Sequence, residues 1–273
     1  MRHPIITLLL WLLALVVTLG LAVFQRLTGP TYPLRGAIDV GSLGPISYRL
    51  LRSHGGADDM PIRIDVGDAD LRGSVYWRRY PTEDEWQMLE MAREETTWVA
   101  AIPHQPPAGK VEYRLVLETP SGEQVSIPGE EAVVARFKGS VPAAVLIPHV
   151  IAMFSSMLFA TYAFFEVMRK ESKAAFSVVA AMVLLAIGGL ILGPIVQKYA
   201  FGAFWTGWPF GDDFTDNKTL FGVLAWLPAT LAALRRRPLR WKVILGWIAM
   251  MGVFLVPHSF RGSELDWSEI PTE

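Results

Sequence analysis

Two histidines, His149 and His258, each stand at one end of a long apolar run, and an aromatic and acidic segment separates them. That segment reads Phe201-Gly-Ala-Phe-Trp205-Thr-Gly-Trp208-Pro-Phe-Gly-Asp212-Asp213-Phe-Thr-Asp216-Asn-Lys218-Thr. An imidazole at hydrocarbon depth is expensive and marks a functional site by default. Neutral imidazole ligates haem iron, zinc and copper, and Phe201, Phe204, Trp205, Trp208, Phe210 and Phe214 would give a porphyrin flat apolar walls. Asp212, Asp213 and Asp216 offer a second chemistry: with the histidines they form a mixed nitrogen and oxygen ligand set for zinc, whose bound water would be a nucleophile. Lys218 and Arg261 are candidate partners for haem propionates, because charge-assisted bonds to carboxylates are strong. Each residue also has a plainer role: a lone intramembrane histidine can simply bond a neighbouring helix, and a tryptophan-rich loop can be an interfacial belt. In the same way Lys218 and Arg261 can be ordinary membrane-flanking cations, and Asp216 suits a helix N-cap.

The elements that must position these residues are membrane spans. Of the 273 residues, 52% are hydrophobic and 19% charged, which places the chain in the membrane class. A net charge of -1 argues against a nucleic-acid footprint, which needs a basic face. No cysteine is present, so disulfides, thiolate ligands and covalent haem attachment are excluded.

The run Ile5 to Phe24 is long enough to cross a bilayer. It reads as an uncleaved anchor (residues 1–25) in preference to a signal peptide, since no clean small-residue cleavage site follows it. Further charge-poor runs near Val141–Phe165, Ala174–Val196, Thr219–Leu234 and Val243–Pro257 bring the expected number of spans to five. Arg169, Lys170 and Lys173 follow the second span, and Arg235, Arg236, Arg237, Arg240 and Lys242 follow the fourth. The positive-inside rule assigns both loops to the cytoplasm of a bacterial-type inner (plasma) membrane. The N-terminus is then cytoplasmic, and the C-terminal tail (261–273) is extracytoplasmic. His149, His258 and the Trp-rich loop 198–218 would share the outer face. That placement favours one cofactor near the surface over two haems stacked across the bilayer.

Residues 26–140 follow a different grammar. Ile62–Val66, Gly73–Trp77, Thr97–Ile102 and Val111–Leu117 alternate as half-buried strands do, and Gly- and Pro-containing turns separate them. An antiparallel all-β sandwich is expected there, with a short helix over Thr82–Glu95 and loop or surface roles for His54 and His104. The expected fold class is therefore a membrane α-helical bundle, four of its spans within residues 141–260, with an inserted extracytoplasmic β-sandwich domain.

Two resemblances attach to these residues. Trp98-Val-Ala-Ala-Ile-Pro103 followed by Pro107-Ala-Gly-Lys-Val-Glu-Tyr113 resembles the late strands of immunoglobulin-like or fibronectin-like modules, and implies a corner role for Tyr113. Phe201-Gly-Ala-Phe-Trp205, Trp208 and Asp216-Asn-Lys-Thr-Leu-Phe-Gly-Val-Leu-Ala-Trp226 resemble the tryptophan-rich WWD signature of haem-handling membrane proteins in cytochrome c biogenesis. Pro148-His149-Val150 and Val256-Pro-His258-Ser259-Phe260 are similar to that family's two external histidine motifs, in the family's order. The chain departs from the signature at Phe201, which replaces its leading tryptophan, and at Trp208, which is not directly followed by Asp.

What the resemblance implies is haem b held at the outer face by axial His149 and His258 over Trp205, Trp208 and Phe204. Its partners would be membrane lipid and an extracytoplasmic cytochrome or membrane complex. Two other functions stay open: a metal-dependent membrane hydrolase or oxidoreductase using the same His/Asp site, and a non-catalytic subunit of a membrane complex.

Overall fold

A computed structural model describes residues 4–41, 44–169, 173–257 and 265–269. The chain divides into two compact units. One comprises Met1–Pro30, Val141–Tyr199 and Ala203–Gly262, and the other Thr31–Ser140, Ala200–Gly202 and Ser263–Glu273.

The first unit is helical. Its elements are α1 (Pro4–Thr28), α2 (Ala143–Glu166), α3 (Ala175–Leu185), a π-helical segment (Ala186–Leu192), α4 (Gly193–Phe201), α5 (Phe214–Leu234) and α6 (Arg240–Leu255). Among the described residues, three helices are long and apolar enough to cross a membrane: Pro4–Thr28, Ala143–Glu166 and the continuous Ala175–Phe201. Small residues at the contacts let the helices approach closely. Ala160, Ala163, Ala181, Ala229 and Ala233 share one buried apolar cluster with the fully buried Trp226. A Cβ added at Gly246 would lie 2.9 Å from the Trp226 ring, so α6 can pass α5 only as glycine there. Glu166, 1% exposed, ends α2 by accepting from Arg169 (3.1 Å) and from the Lys173 amide (3.3 Å).

The second unit is built on three sheets. β3 (Ser53–Gly55), β11 (Val133–Lys138), β9 (Lys110–Glu118), β5 (Arg72–Tyr80) and β6 (Gln87–Glu90) follow one another in the largest, with β10 (Gln124–Ile127) also on β9. β4 (Met60–Asp65), β8 (Thr97–Ile102) and β7 (Ala92–Glu94) form the second, and β1 (Leu34–Asp39) pairs with β2 (Pro45–Leu50) in the third. All these pairings are antiparallel except β3 with β11. Alternation sets the core. Met60, Ile62 and Ile64 of β4 meet Val75 and Trp77 of β5 and Val111, Tyr113, Leu115 and Leu117 of β9 in one apolar cluster.

Two expectations for this region need correction. Thr82–Glu95 is not helical: Gln87–Glu90 takes the free edge of β5 in register Ser74↔Glu90, and Ala92–Glu94 takes the edge of β8. Two open sheet edges outweigh the helix propensity of a Glu-rich stretch, because tertiary pairing routinely overrides local preference. Tyr113 is not a corner tyrosine. Its hydroxyl donates to the carbonyl of Leu51, 2.8 Å away and 62 residues upstream, whereas a corner tyrosine bonds only a few residues back.

Candidate functional site

His149 lies in the second turn of α2, directly after Pro148, which supplies no amide to the helix. Its half-buried ring places Nδ1 2.9 Å from the carbonyl oxygen of Gly188. A carbonyl only accepts, so Nδ1 is the donor in this contact and the neutral ring carries its lone pair on Nε2.

The acceptor sits in the π-helical segment, where the Gly193 amide also reaches back to the Gly188 carbonyl. Gly188 and Gly189 make that segment possible. A Cβ at Gly188 would sit 3.0 Å from Met153 Sδ, and one at Gly189 only 2.6 Å from Thr219 Cγ2. At these two glycines the π segment packs against α2 and α5 with no room for a side chain, and π-bulges of this kind recur at functional sites. The apolar periodicity of Ala174–Val196 contains no sign of it; the Gly188-Gly189 pair is the one visible cue.

The Trp-rich loop is shorter than expected. α4 continues through Phe201 and α5 begins at Phe214, leaving residues 202–213 as the connection. Its conformation is set by the first turn of α5. Asp213, not Asp216, is the N-cap: its Oδ1 accepts from the amides of Thr215 (2.7 Å) and Asp216 (3.3 Å), and its Oδ2 accepts from Thr206 Oγ1 (3.1 Å). Asp216 reaches out of the helix instead, its Oδ2 accepting from the amides of Thr206 (2.7 Å) and Gly207 (3.1 Å). Asn217 Oδ1 takes the Trp208 amide at 2.6 Å, and Gln197 donates to Thr206 Oγ1 at 2.7 Å. Three consecutive loop amides are thus satisfied by two side chains of one helical turn, with no water needed.

This arrangement assigns the acidic residues structural work. The oxygens of Asp213 and Asp216 face backbone and hydroxyl donors, and Asp212 is exposed. Among the described residues no three of His, Asp and Glu converge as a metal site.

Lys218 is 7% exposed and donates from Nζ to the carbonyl of Val256 at 2.7 Å. Val256 is the C-cap of α6, so the ammonium sits at the negative end of a helix dipole. Beside it is a small pocket lined chiefly by Met153, Leu185, Thr219, Met250 and Phe254, far below the size of a porphyrin site.

Of the expected aromatic platform, Trp205 is half-buried and donates from Nε1 to the Trp208 carbonyl at 3.1 Å, while Phe204, Trp208 and Phe210 point outward. Lys198 stands over the Phe204 ring, 5.6 Å from its centre. Phe201, the last residue of α4, groups with the β-rich unit although the rest of the helix up to Tyr199 does not, and Arg136 lies 5.5 Å from its ring. His258 and Arg261 lie outside the described residues. In the β-rich unit, His54 and His104 both meet the edge or face of Phe137 in T-shaped contacts, at 5.6 and 5.8 Å.

No protein-family model matches the chain, and neither does any curated protein.

Proposed function

We propose that the protein holds haem b at the extracytoplasmic face of a bacterial-type inner membrane, for an extracytoplasmic cytochrome or a membrane-complex partner. In this reading the chain has five spans, α5 and α6 supplying the fourth and fifth, with the N-terminus cytoplasmic. Residues 26–140 are an extracytoplasmic immunoglobulin-like sandwich, and the C-terminal tail lies on the same side. The arginine cluster between α5 and α6 and the basic residues after α2 support that orientation.

One observation carries the haem assignment: the Gly188 carbonyl takes the Nδ1 proton of His149 and leaves Nε2 as the free ligand atom. Ligating histidines characteristically donate their other nitrogen to a carbonyl or carboxylate, which fixes the tautomer and the ring orientation. His149 would thus fit as a ligand of the haem iron, with His258 as the second. Haem would supply the redox-active iron. The chain supplies the ligand nitrogen and, through Trp205 and the neighbouring Phe204, aromatic packing area. Lys218 fits less well as a propionate partner, since its ammonium is already bonded at the end of α6.

An absorption spectrum of the purified, haem-supplemented protein tests this. A Soret band is expected, altered in His149→Ala and in His258→Ala, with free imidazole partly restoring the six-coordinate form. An unchanged haem spectrum in the double variant sinks the assignment.

A second reading, a non-catalytic subunit of a membrane complex, is favoured by the loop itself. Its polar groups are consumed internally while its aromatic rings are left facing outward. Absence of any haem binding by a well-folded preparation would select it.

A further inference from the structure

The exposed rings of the Trp-rich loop are held out by a framework that cannot fold them away. Trp208 is 69% and Phe210 82% exposed, at the tip of a turn closed by the Phe210 and Gly211 amides on the Gly207 carbonyl. The base of that turn is tied to α5 through Asp213, Asp216 and Asn217. At Gly207 a Cβ would lie 2.5 Å from Asp216 Cβ, so the loop is pressed onto the helix as closely as glycine permits. Large aromatic side chains presented in this way mark a surface that meets something apolar.

The surroundings identify what it meets. Phe214, the first residue of α5, begins an exposed apolar stripe that continues through Phe221, Leu224, Leu227, Leu231 and Leu234 along the whole helix. The loop aromatics extend the same apolar surface beyond the helix end. On the other flank, the last turn of α4 exposes Lys198 and Tyr199. Lysine, tyrosine, tryptophan and phenylalanine at the end of an apolar helix form the composition of a membrane interface, where amphipathic rings sit at headgroup level and lysine reaches toward lipid phosphate.

We infer that the loop 202–213 is a rigid interfacial anchor that seats Trp208 and Phe210 at the headgroup and acyl boundary of the outer leaflet. The occupant of this surface is lipid. The inference rests on the membrane reading and is independent of haem. It has a consequence for the site: the anchor is rooted in the turn of α5 next to Thr219, which packs on Gly189 beside the carbonyl that orients His149. Anchoring the loop would thus set the depth of the imidazole.

Because the chain contains no cysteine, single-cysteine labelling tests the anchor in the full-length protein. Haem-free Phe210→Cys and Asp58→Cys variants, the latter an exposed control in the β-rich unit, carry a bimane label in nanodiscs of phosphatidylcholine and phosphatidylglycerol. A headgroup-level nitroxide lipid should quench the label at 210 at least twofold more than at 58, and aqueous iodide should show the reverse order. Iodide quenching at 210 equal to that at 58 overturns the anchor. Protection at 210 from both quenchers also overturns it, because protein then covers the ring. Tyr199→Cys provides a second position outside the loop with the same expected order. A haem-binding protein whose label at 210 is open to iodide would refute the anchor alone.

Discussion

The two units hold themselves together by different means. In the β-rich unit the stabilising pattern is alternation: every second residue of β9 is fully buried, from Val111 to Leu117, against β4 and β5. In the helical unit, apolar side chains cover the outside as well as the inside, and the helices are joined by polar contacts and missing side chains. Ser156 donates to Ala181 O, Trp226 to Val178 O, Trp247 to Thr161 Oγ1, Lys218 to Val256 O and His149 to Gly188 O. Lipid tails are as apolar as leucine, so burying leucine gives little drive for helix association, and hydrogen bonds and close backbone approach take over. A histidine bonded across helices is one of at least five such contacts, so the bond alone identifies no cofactor; the unspent Nε2 is what sets His149 apart.

The largest expected effect tests the apolar side of this contrast. Leu115→Ala, at the fully buried centre of β9, should destabilise the β-rich unit by about 2–5 kcal/mol through lost transfer energy and an unfilled cavity. Denaturant unfolding followed by a probe in that unit measures it. A cost below about 1 kcal/mol would mean that alternation is not what organises this core.

Close backbone approach has its own test in the helical unit. Gly189→Val adds atoms where a Cβ alone would come within 2.6 Å of Thr219. Overpacking of this kind costs about 1–3 kcal/mol. Pairing it with Thr219→Ser, which removes the opposing methyl, should recover part of the loss. If the double variant is no better than the single one, the contact between the π segment and α5 is not the constraint.

The legibility of these features in the amino-acid sequence differs between the units in the same way. Strands announce themselves: Ile62–Val66, Gly73–Trp77, Thr97–Ile102 and Val111–Leu117 each fall on an observed strand, because period-two burial writes itself into residue type. Helices are legible from the apolar runs, all five of which lie on observed helices. What the helical pattern hides is the internal detail. A run such as Ala174–Val196 is apolar throughout, so the shift from α to π geometry at Ala186 leaves no trace except two glycines. Asp213 and Asp216 are equally good caps by residue type. Only the folded loop decides between them, since Asp216 is drawn away by the amides of Thr206 and Gly207.

Alkaline pH gives a graded test of burial in the β-rich unit. Tyr113 is fully buried, and burial pushes its phenol above the ordinary value of 10.0. The unfolded chain therefore releases this proton first. Stability from this group is constant below pH about 10 and falls above it, by at most about 1.4 kcal/mol per pH unit, until the folded state ionises as well. Tyr113→Phe should flatten the alkaline limb of the stability curve relative to the native chain, which retains six other tyrosines in both. Parallel alkaline limbs would show that Tyr113 reaches solvent in the folded state.

The smallest expected effect separates the structural part of His149 from the functional part. Interhelical hydrogen bonds inside membrane proteins contribute on average about 0.6 kcal/mol, because the unfolded segment in lipid finds other partners. Ser156→Ala removes a fully buried bond to Ala181 O and should cost about that much in a reversible unfolding assay in bicelles. His149→Ala removes a comparable bond to a helix carbonyl, and in the absence of haem its cost should match that of Ser156→Ala within a few tenths of a kcal/mol. Adding haem should break the equality: the native chain and Ser156→Ala would gain stability by mass action on the ligand, and His149→Ala would gain less. Equal gains in all three would mean that His149 serves only as a contact between helices, and the axial role would then have to be withdrawn.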